Sequence, residues 1–269
     1  AAKAAEQTAA LLERVPDLAR FGPEIETVSL MNARGFLEHD TLRRLPKLKR
    51  LFIAGSTLAR HRSQIDPRIE YIQFFKNHGR QAGASLRHPH AQMMALPMVP
   101  SDVRVRADTA RMHFDEVGCC AYCEMLEQER ADGRRIVLES EHFVAFSPYA
   151  AFSPFHLWVA PKAHSASFLH ITPPEVVDLG QIMQTILRKL YIGLNNPGFK
   201  YVIRSGPVRD LGATHLHWYI TIVPRISLAA GFELGSGIYI NPSLPEECAK
   251  FLRSVDENAL DRVKLYGTI

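Results

Sequence analysis

The chain has 269 residues, of which 46% are hydrophobic and 22% are charged, and its formal net charge is +4. This length accommodates one large domain or two domains of ordinary size, and the hydrophobic share excludes an intrinsically disordered chain. The small charge argues against nucleic acid as a partner and is compatible with an anionic small-molecule substrate.

The sequence also bears on location. No apolar run approaches the roughly 20 residues that a membrane-spanning helix needs, so we expect no membrane partner. The segment 1–15 is rich in Ala, Glu and Lys and has no apolar core, so we expect no secretory signal. The cysteines Cys119, Cys120 and Cys123 are clustered, which suits metal binding better than disulfides. We therefore expect a reducing, cytoplasmic location.

Segments in the first half carry secondary-structure signals, judged by their hydrophobic spacing. They are a helix over 4–15, a strand over 26–31, a helical stretch over 41–65, a strand over 69–75 and a histidine-rich strand that continues to 96. A small-residue loop over 77–85 joins the last two segments. Pro97 and Pro100 then mark a boundary.

The second half repeats this order. Thr172 is a plausible N-cap and Pro173 a suitable first helical residue, followed by an apolar stripe at helical spacing that ends near Leu194. The predicted strands of this half are 143–146, 156–160, 200–204 and 215–223. A helix, a strand, a small-residue loop and an H-x-H strand thus occur twice, which indicates an internal duplication or a chance recurrence of common units. Antiparallel strands with a few helices predict an α+β fold.

The segment 83–92 is the most informative about chemistry. His88, His90 and Gln92 are spaced two residues apart, and alternate side chains of an extended strand point to the same face. The preceding loop of Gly, Ala and Ser allows backbone N–H groups to approach a phosphate. Because imidazole is nucleophilic near neutral pH, the pattern indicates phosphoryl or nucleotidyl transfer through His90. A structural metal site, or histidines without a role, are the alternatives.

Cys120 and Cys123 form a C-x-x-C motif that could supply two thiolates to a tetrahedral zinc. His142 and His217 are the candidates for the other two ligands. The competing interpretations are redox chemistry, which is usual at a helix start within a thioredoxin-like pattern, and two ordinary thiols. The sequence shows no such thioredoxin-like pattern. Cys119 is a spare thiol, and Cys248 is typical of a buried helix residue.

Taken together, the segments NHGRQAGAS at 77–85 and HPHAQ at 88–92 resemble the active-site signature of the galactose-1-phosphate uridylyltransferase family. The segment GFELGSGIYINP at 231–242 resembles a C-terminal segment of the family that helps to hold the sugar phosphate. The sequence of this segment is especially close to that of the branch that includes ADP-glucose phosphorylase. The resemblance covers roughly residues 26–256 and is specific at both motifs.

The resemblance implies an α+β fold of two tandem histidine-triad-like domains, each an antiparallel sheet with flanking helices. We expect the catalytic domain over 1–102, with its first part missing, and a zinc-containing domain over 103–269. The family places a cysteine pair before a histidine that aligns with His39, and no cysteine precedes His39 here. Either the chain is a fragment or its first metal site is reduced to His39 and His88. Family members are commonly homodimers, so a homodimer is a possible assembly.

The resemblance also implies a role for each candidate residue. His90 would attack the α-phosphorus of a nucleotide sugar, and Gln92 would hold a non-bridging oxygen. Further substrate contacts would come from Asn77 on the nucleotide or ribose, from Gly83, Ala84 and Ser85 on the β-phosphate, and from Phe232 and Glu233 on the sugar phosphate. The second metal site would be a zinc held by Cys120, Cys123, His142 and His217.

Three functions follow as hypotheses. The leading one is a nucleotidyltransferase that moves UMP from UDP-glucose to galactose 1-phosphate, in galactose metabolism. The second keeps the chemistry but transfers an adenylyl group from ADP-glucose to phosphate, as an ADP-glucose phosphorylase does. The third is a non-catalytic module that binds a nucleotide or zinc.

Overall fold

The computed structural model describes residues 68–84, 91–227 and 229–259. Seven strands in this part of the chain form one antiparallel sheet with the order β2-β1-β6-β7-β5-β4-β3. The strands are β1 (Tyr71–His78), β2 (Ala91–Leu96), β3 (Ile136–Glu139), β4 (Phe143–Phe146), β5 (Leu157–Pro161), β6 (Phe199–Arg204) and β7 (Tyr219–Pro224). The helices are α1 (Ser101–Val117), α2 (Ala121–Asp132), α3 (Pro173–Gly193), α4 (Gly231–Ser236) and α5 (Pro245–Ser254). The α+β prediction is confirmed.

One face of the sheet is covered by α3. The helix begins as predicted, because the Thr172 backbone N–H donates to the Glu175 carboxylate at 2.7 Å and Pro173 occupies the first turn. Its apolar stripe then packs on inward-facing residues of the strands, such as Phe143, Leu157 and Ile220. Each large side chain buried here stabilises the fold by about 1.5–3 kcal/mol. This face therefore holds the main core.

The face opposite α3 is covered by α1 and α2. Helix α1 contributes mainly small side chains, with Ala107 and Ala110 buried against Ala166 and Leu216. Helix α2 buries Leu126 against Phe146. These alanines pack on loop residues next to the sheet, and Val103 of α1 packs on Tyr71 of β1.

Helix α5 is held by charge as well as by packing. The Arg135 guanidinium donates to Glu246 at 2.6 Å and to Glu129 at 2.8 Å. All three side chains lie largely out of solvent, so the pairing links the start of α5 to α2. Cys248 is buried on α5, as predicted.

The sheet brings the two repeated halves of the sequence together. Strand β1 pairs with β2, β6 pairs with β7, and β1 and β6 pair with each other in antiparallel register, with Phe74 opposite Ile203. The order β2-β1-β6-β7 is thus arranged as two like hairpins back to back. Strands of both halves share one continuous sheet, and the boundary predicted at residue 102 stays a prediction.

Several predictions lie outside the described residues. They are the helix over 4–15, the strand over 26–31, the helical stretch over 41–65, and the site residues His39, Ser85, His88 and His90. Within the described part, the second H-x-H strand begins later than predicted, at Tyr219, so His215 and His217 precede β7.

Candidate functional site

The predicted catalytic segment is entered from β1 and left through β2. Asn77 lies near the end of β1 and Gln92 is the second residue of β2, where it pairs with Phe75. Ile72, Phe74 and Met93 face the α3 core, so strand alternation places Asn77 and Gln92 on the opposite face. The two predicted substrate contacts therefore share one face of adjacent strands.

The loop after β1 is a tight turn. Gly83 has φ +82° and closes a 3-10 turn over Arg80–Ala82, with its N–H donating to the Arg80 carbonyl oxygen at 2.9 Å. The Ala84 N–H donates to the Gly79 carbonyl oxygen at 3.2 Å. Both amides are engaged within the loop, and the phosphate contact expected from Gly83 and Ala84 stays a prediction. In this structure, Gly83 and Ala84 close the turn that follows β1.

This loop is packed against the second half of the chain. A Cβ on Gly79 would lie 3.2 Å from the Gly198 Cα atom, so the close approach requires glycine there. The His78 Nε2 atom lies 3.2 Å from Asn196 Oδ1, and the centroid of its ring lies 4.9 Å from that of Phe199, with the two rings tilted by 40°. The start of the predicted phosphate loop is therefore fixed by contacts to residues 196–199.

A group of four potential metal ligands lies at the start of α2. Cys120 is the N-cap residue of α2 and Cys123 lies in its first turn, while His164 follows β5 and His217 precedes β7. One ligand atom from each residue lies within 4.8 Å of every other. Cys123 Sγ is 3.3 Å from His164 Nδ1 and 3.4 Å from His217 Nδ1. A tetrahedral zinc would separate such atoms by roughly 3.5 Å, so the donor set fits the ion.

The second nitrogen of each imidazole faces a backbone carbonyl. His217 Nε2 lies 2.9 Å from the Pro161 carbonyl oxygen, and His164 Nε2 lies 3.4 Å from that of Ala213. An Nε2–H that donates to a carbonyl leaves Nδ1 as the free ligand atom, which is the usual outer-shell arrangement at metal-bound histidines. The histidine ring positions are therefore compatible with metal binding through Nδ1.

Burial controls the protonation of these ligands. Burial raises the pKa of the Cys123 thiol to about 12 and lowers the pKa of the His217 imidazole to about 4. Both groups are neutral at pH 7 in this environment. A bound cation stabilises thiolate and neutral imidazole, so a metal would be accompanied by proton release from Cys123.

The predicted ligand His142 is not part of this group, and His164 is the residue that sequence reasoning missed. His142 precedes β4, and its ring lies beside Glu141, at 3.8 Å. In the sheet, β5 is the neighbour of β7, whereas β4 is one strand further away. Because neighbouring strands are about 4.8 Å apart, a residue at the end of β5 reaches His217 and one beside β4 does not. The choice between His142 and His164 therefore depends on the order of strands in the sheet.

The C-x-x-C motif does lie at a helix start, the position that redox motifs also use. Its surroundings differ from a thioredoxin-like pattern, because the described sheet is antiparallel and two imidazoles converge on the sulfurs. His215 takes part only through its carbonyl oxygen, 3.6 Å from Cys120 Sγ. The geometry thus favours metal binding over redox chemistry.

The C-terminal motif forms the short helix α4 and the segment after it. The Glu233 carboxylate accepts the Ala230 N–H at 2.9 Å, and backbone hydrogen bonds of this kind lower the pKa of Glu233. Phe232 is 55% exposed. Glu233 thus caps α4 in this structure, and the sugar-phosphate contacts expected of both residues stay a prediction.

Among residues 68–84, 91–227 and 229–259, no helix combines the length and the apolar character needed to cross a membrane. The sequence profile described as galactose-1-phosphate uridyl transferase, C-terminal domain, matches residues 72–257. The chain is 44% identical over 190 residues to ADP-glucose phosphorylase of Arabidopsis thaliana and 31% identical over 197 residues to galactose-1-phosphate uridylyltransferase of Thermotoga maritima. Each alignment covers 70% of this chain, but only 52% and 61% of the respective relative.

Solved structures agree with these matches. The crystal structure of ADP-glucose phosphorylase from Arabidopsis thaliana with bound ADP-glucose superposes with a TM-score of 0.71 at 40% identity, covering 78% of this chain and 66% of that one. A structure of uridylyltransferase superposes with a TM-score of 0.73 at 27% identity, covering 81% and 69%.

Proposed function

Because the chain belongs to the galactose-1-phosphate uridyl transferase family, we propose that it transfers a nucleotidyl group between a nucleotide sugar and a phosphate acceptor through His90. The observation that carries the proposal is the placement of Asn77 and Gln92 on one face of paired strands, at the two ends of the segment that contains His90. We expect both amides to contact a nucleotide held on this face.

The proposed reaction has two displacements. His90 attacks the α-phosphorus of the nucleotide sugar, the bond to the bridging oxygen breaks, and sugar 1-phosphate leaves with that electron pair. An oxygen of the acceptor phosphate then attacks the nucleotidyl-histidine and regenerates the imidazole. The Gln92 amide donates to a non-bridging oxygen as charge develops there. An amide cannot deprotonate water, which favours transfer over hydrolysis.

For the substrates we propose ADP-glucose and phosphate, giving ADP and glucose 1-phosphate. Support for this choice comes from the higher identity to ADP-glucose phosphorylase, 44% against 31% for a uridylyltransferase. It replaces the UDP-glucose and galactose 1-phosphate pair that the sequence alone favoured. That pair is the second candidate, since the same chemistry serves both.

For the metal we propose zinc at Cys120, Cys123, His164 and His217, because thiolate and imidazole ligands in a tetrahedral set favour this ion. All four positions are filled by protein ligands, which is typical of a structural site. The residues would tie the start of α2 to the end of β5 and the entry of β7. Homodimer formation and a cytoplasmic location also remain proposals.

Intact-mass analysis tests the transfer. The protein is incubated with ADP-glucose or with UDP-glucose, and we expect the mass of one adenylyl group to be added, and no uridylyl group. His90→Asn should abolish the adduct, while His170→Asn, at an exposed histidine outside the site, should retain it. A uridylyl adduct alone would support the second candidate. Absence of any adduct would favour the non-catalytic module.

A further inference from the structure

A pocket lies on the face opposite α3, between α1, the first turn of α2 and the β6–β7 hairpin. Its polar wall is formed by Arg106, Tyr122, Arg204, Ser205, Gly206 and Tyr219. Neither arginine belongs to the proposed catalytic segment. The pocket shares only His217 with the candidate metal ligands, whose Nδ1 and Nε2 atoms are both engaged elsewhere.

The position of the pocket in the β6–β7 hairpin corresponds to that of the proposed transfer site in the β1–β2 hairpin. In each hairpin, a 3-10 turn and an H-x-H motif lie between the strands, and a polar side chain follows two residues later. That side chain is Gln92 in the first hairpin, opposite Phe75, and Tyr219 in the second, opposite Arg204. The comparison indicates that the second hairpin retains a ligand pocket.

The proposed transfer site and this pocket differ in the chemistry of one histidine. The second histidine of the motif is His90 in the first half and His217 in the second. His217 presents Nδ1 to Cys123 at 3.4 Å and Nε2 to a backbone carbonyl at 2.9 Å. With both nitrogens engaged, the ring cannot attack phosphorus. A ligand in this pocket would be bound and not cleaved.

The charges of the pocket indicate the kind of ligand. Arg106 Nη1 lies 2.5 Å and Arg204 Nη1 lies 3.3 Å from the same Asp102 oxygen. Two guanidinium groups therefore share one carboxylate, which leaves one positive charge in excess among these three side chains. The arginine side chains are 28% and 29% exposed, so both can still meet a ligand. Paired guanidiniums match the geometry of a phosphate.

The loop that lines the pocket lies very close to its neighbours at Gly206. A Cβ on Gly206 would lie 3.0 Å from Leu216 Cδ1 and 3.1 Å from the Ala166 carbonyl oxygen, so only glycine fits without displacement. Ser205 Oγ accepts the Phe168 N–H at 3.2 Å and is thereby fixed beside Arg204. Tyr219 also lines the pocket, and a phenol hydroxyl can donate a hydrogen bond to a phosphate oxygen.

From these observations we propose that the pocket binds the phosphate group of a phosphorylated small molecule, separately from the transfer site. The guanidiniums of Arg106 and Arg204 bind the phosphate oxygens, displacing Asp102 from one of them. The pocket holds this group without transferring it.

Calorimetric titration of the protein with inorganic phosphate and with AMP tests the proposal. We expect Arg204→Gln to weaken one binding event by about tenfold, as the loss of a charge-assisted contact does. Asp102→Asn should strengthen the same event by about threefold, because the competing carboxylate is gone. Arg134→Gln, at an arginine that is 68% exposed and paired to Asp132, is the matched control and should change nothing. Tighter binding of AMP would identify a nucleotide as the ligand, and equal binding a free phosphate.

Two further measurements keep the test decisive. Crystals soaked with tungstate should show the anion between the two guanidiniums, whereas anion density only elsewhere would overturn the proposal. Unchanged phosphate binding in both Arg204→Gln and Asp102→Asn would overturn it as well. Because adduct formation on His90 is measured separately by mass, failure of the pocket and failure of the proposed transfer are distinguishable.

Discussion

Replacing His164 by alanine distinguishes the group of potential metal ligands in the structure from the ligand set predicted from the sequence. His164 Nδ1 lies 3.3 Å from Cys123 Sγ, whereas the His142 ring lies 3.8 Å from Glu141 and is outside the group of ligand atoms. His164→Ala should therefore release zinc, and His142→Ala should retain it. Both histidines are at least partly exposed, so neither substitution removes a core side chain.

The expected loss of zinc affinity follows from the number of protein ligands. A four-ligand structural zinc contributes about 10–16 kcal/mol, so an equal share for one ligand is about 3 kcal/mol. That share corresponds to about a hundredfold loss of zinc affinity in His164→Ala. His142→Ala should change the free energy of unfolding by less than about 0.5 kcal/mol, as is usual for a surface substitution.

The assay is zinc content after purification, followed by competition with a chromogenic chelator. Thermal unfolding with and without a chelator gives the second readout: zinc should raise the Tm of the parent and of His142→Ala, and the chelated forms of all three proteins should unfold alike. Retention of zinc by His164→Ala together with its loss from His142→Ala would refute the geometric argument.

Three further substitutions test other parts of the structure. Gln92→Glu places a negative charge beside the proposed phosphate and should slow formation of the adduct on His90 by about a hundredfold in a mass-resolved time course, while Gln128→Glu on the exposed side of α2 should not. Gly206→Ala should lower the free energy of unfolding by about 1–3 kcal/mol in urea, because its Cβ would lie 3.0 Å from Leu216, whereas Gly212→Ala meets nothing within 4 Å and should be neutral. His156 is buried, its Nε2 lies 2.7 Å from the Thr221 hydroxyl, and burial lowers its pKa to about 3. As the pH falls, the imidazole is protonated at a higher pH in the unfolded state than in the folded state, so the free energy of unfolding should fall below about pH 6.5. A urea midpoint that is independent of pH between 7 and 5 would contradict this.

The parts of the fold that sequence predicted are those specified by local signals. Helix α3 carries its own N-terminal cap at Thr172 and an apolar stripe, so its start and its buried face were both predictable. Strand β4 was predicted at its observed bounds, 143–146, because it is a short apolar run between polar residues. In each case neighbouring residues contain the information.

Features set by non-local contacts were not predictable in this way. Helix α1 is polar and buries only Val103, Ala107 and Ala110, so its periodicity carries little signal. The choice of His164 over His142 depends on β5 lying next to β7, and no residue near either histidine encodes that adjacency. Likewise, the engagement of the Gly83 and Ala84 amides depends on how the loop closes, which its composition alone does not specify.

The antiparallel pairing of β1 with β6 in the sheet restricts the relative motion of the two halves. A hinge between the halves would have to break a ladder of backbone hydrogen bonds, so rigid-body opening is not an available motion. Either half expressed alone would present a bare strand edge five residues long, which invites association with other copies. The two halves are therefore stable only as parts of one continuous sheet.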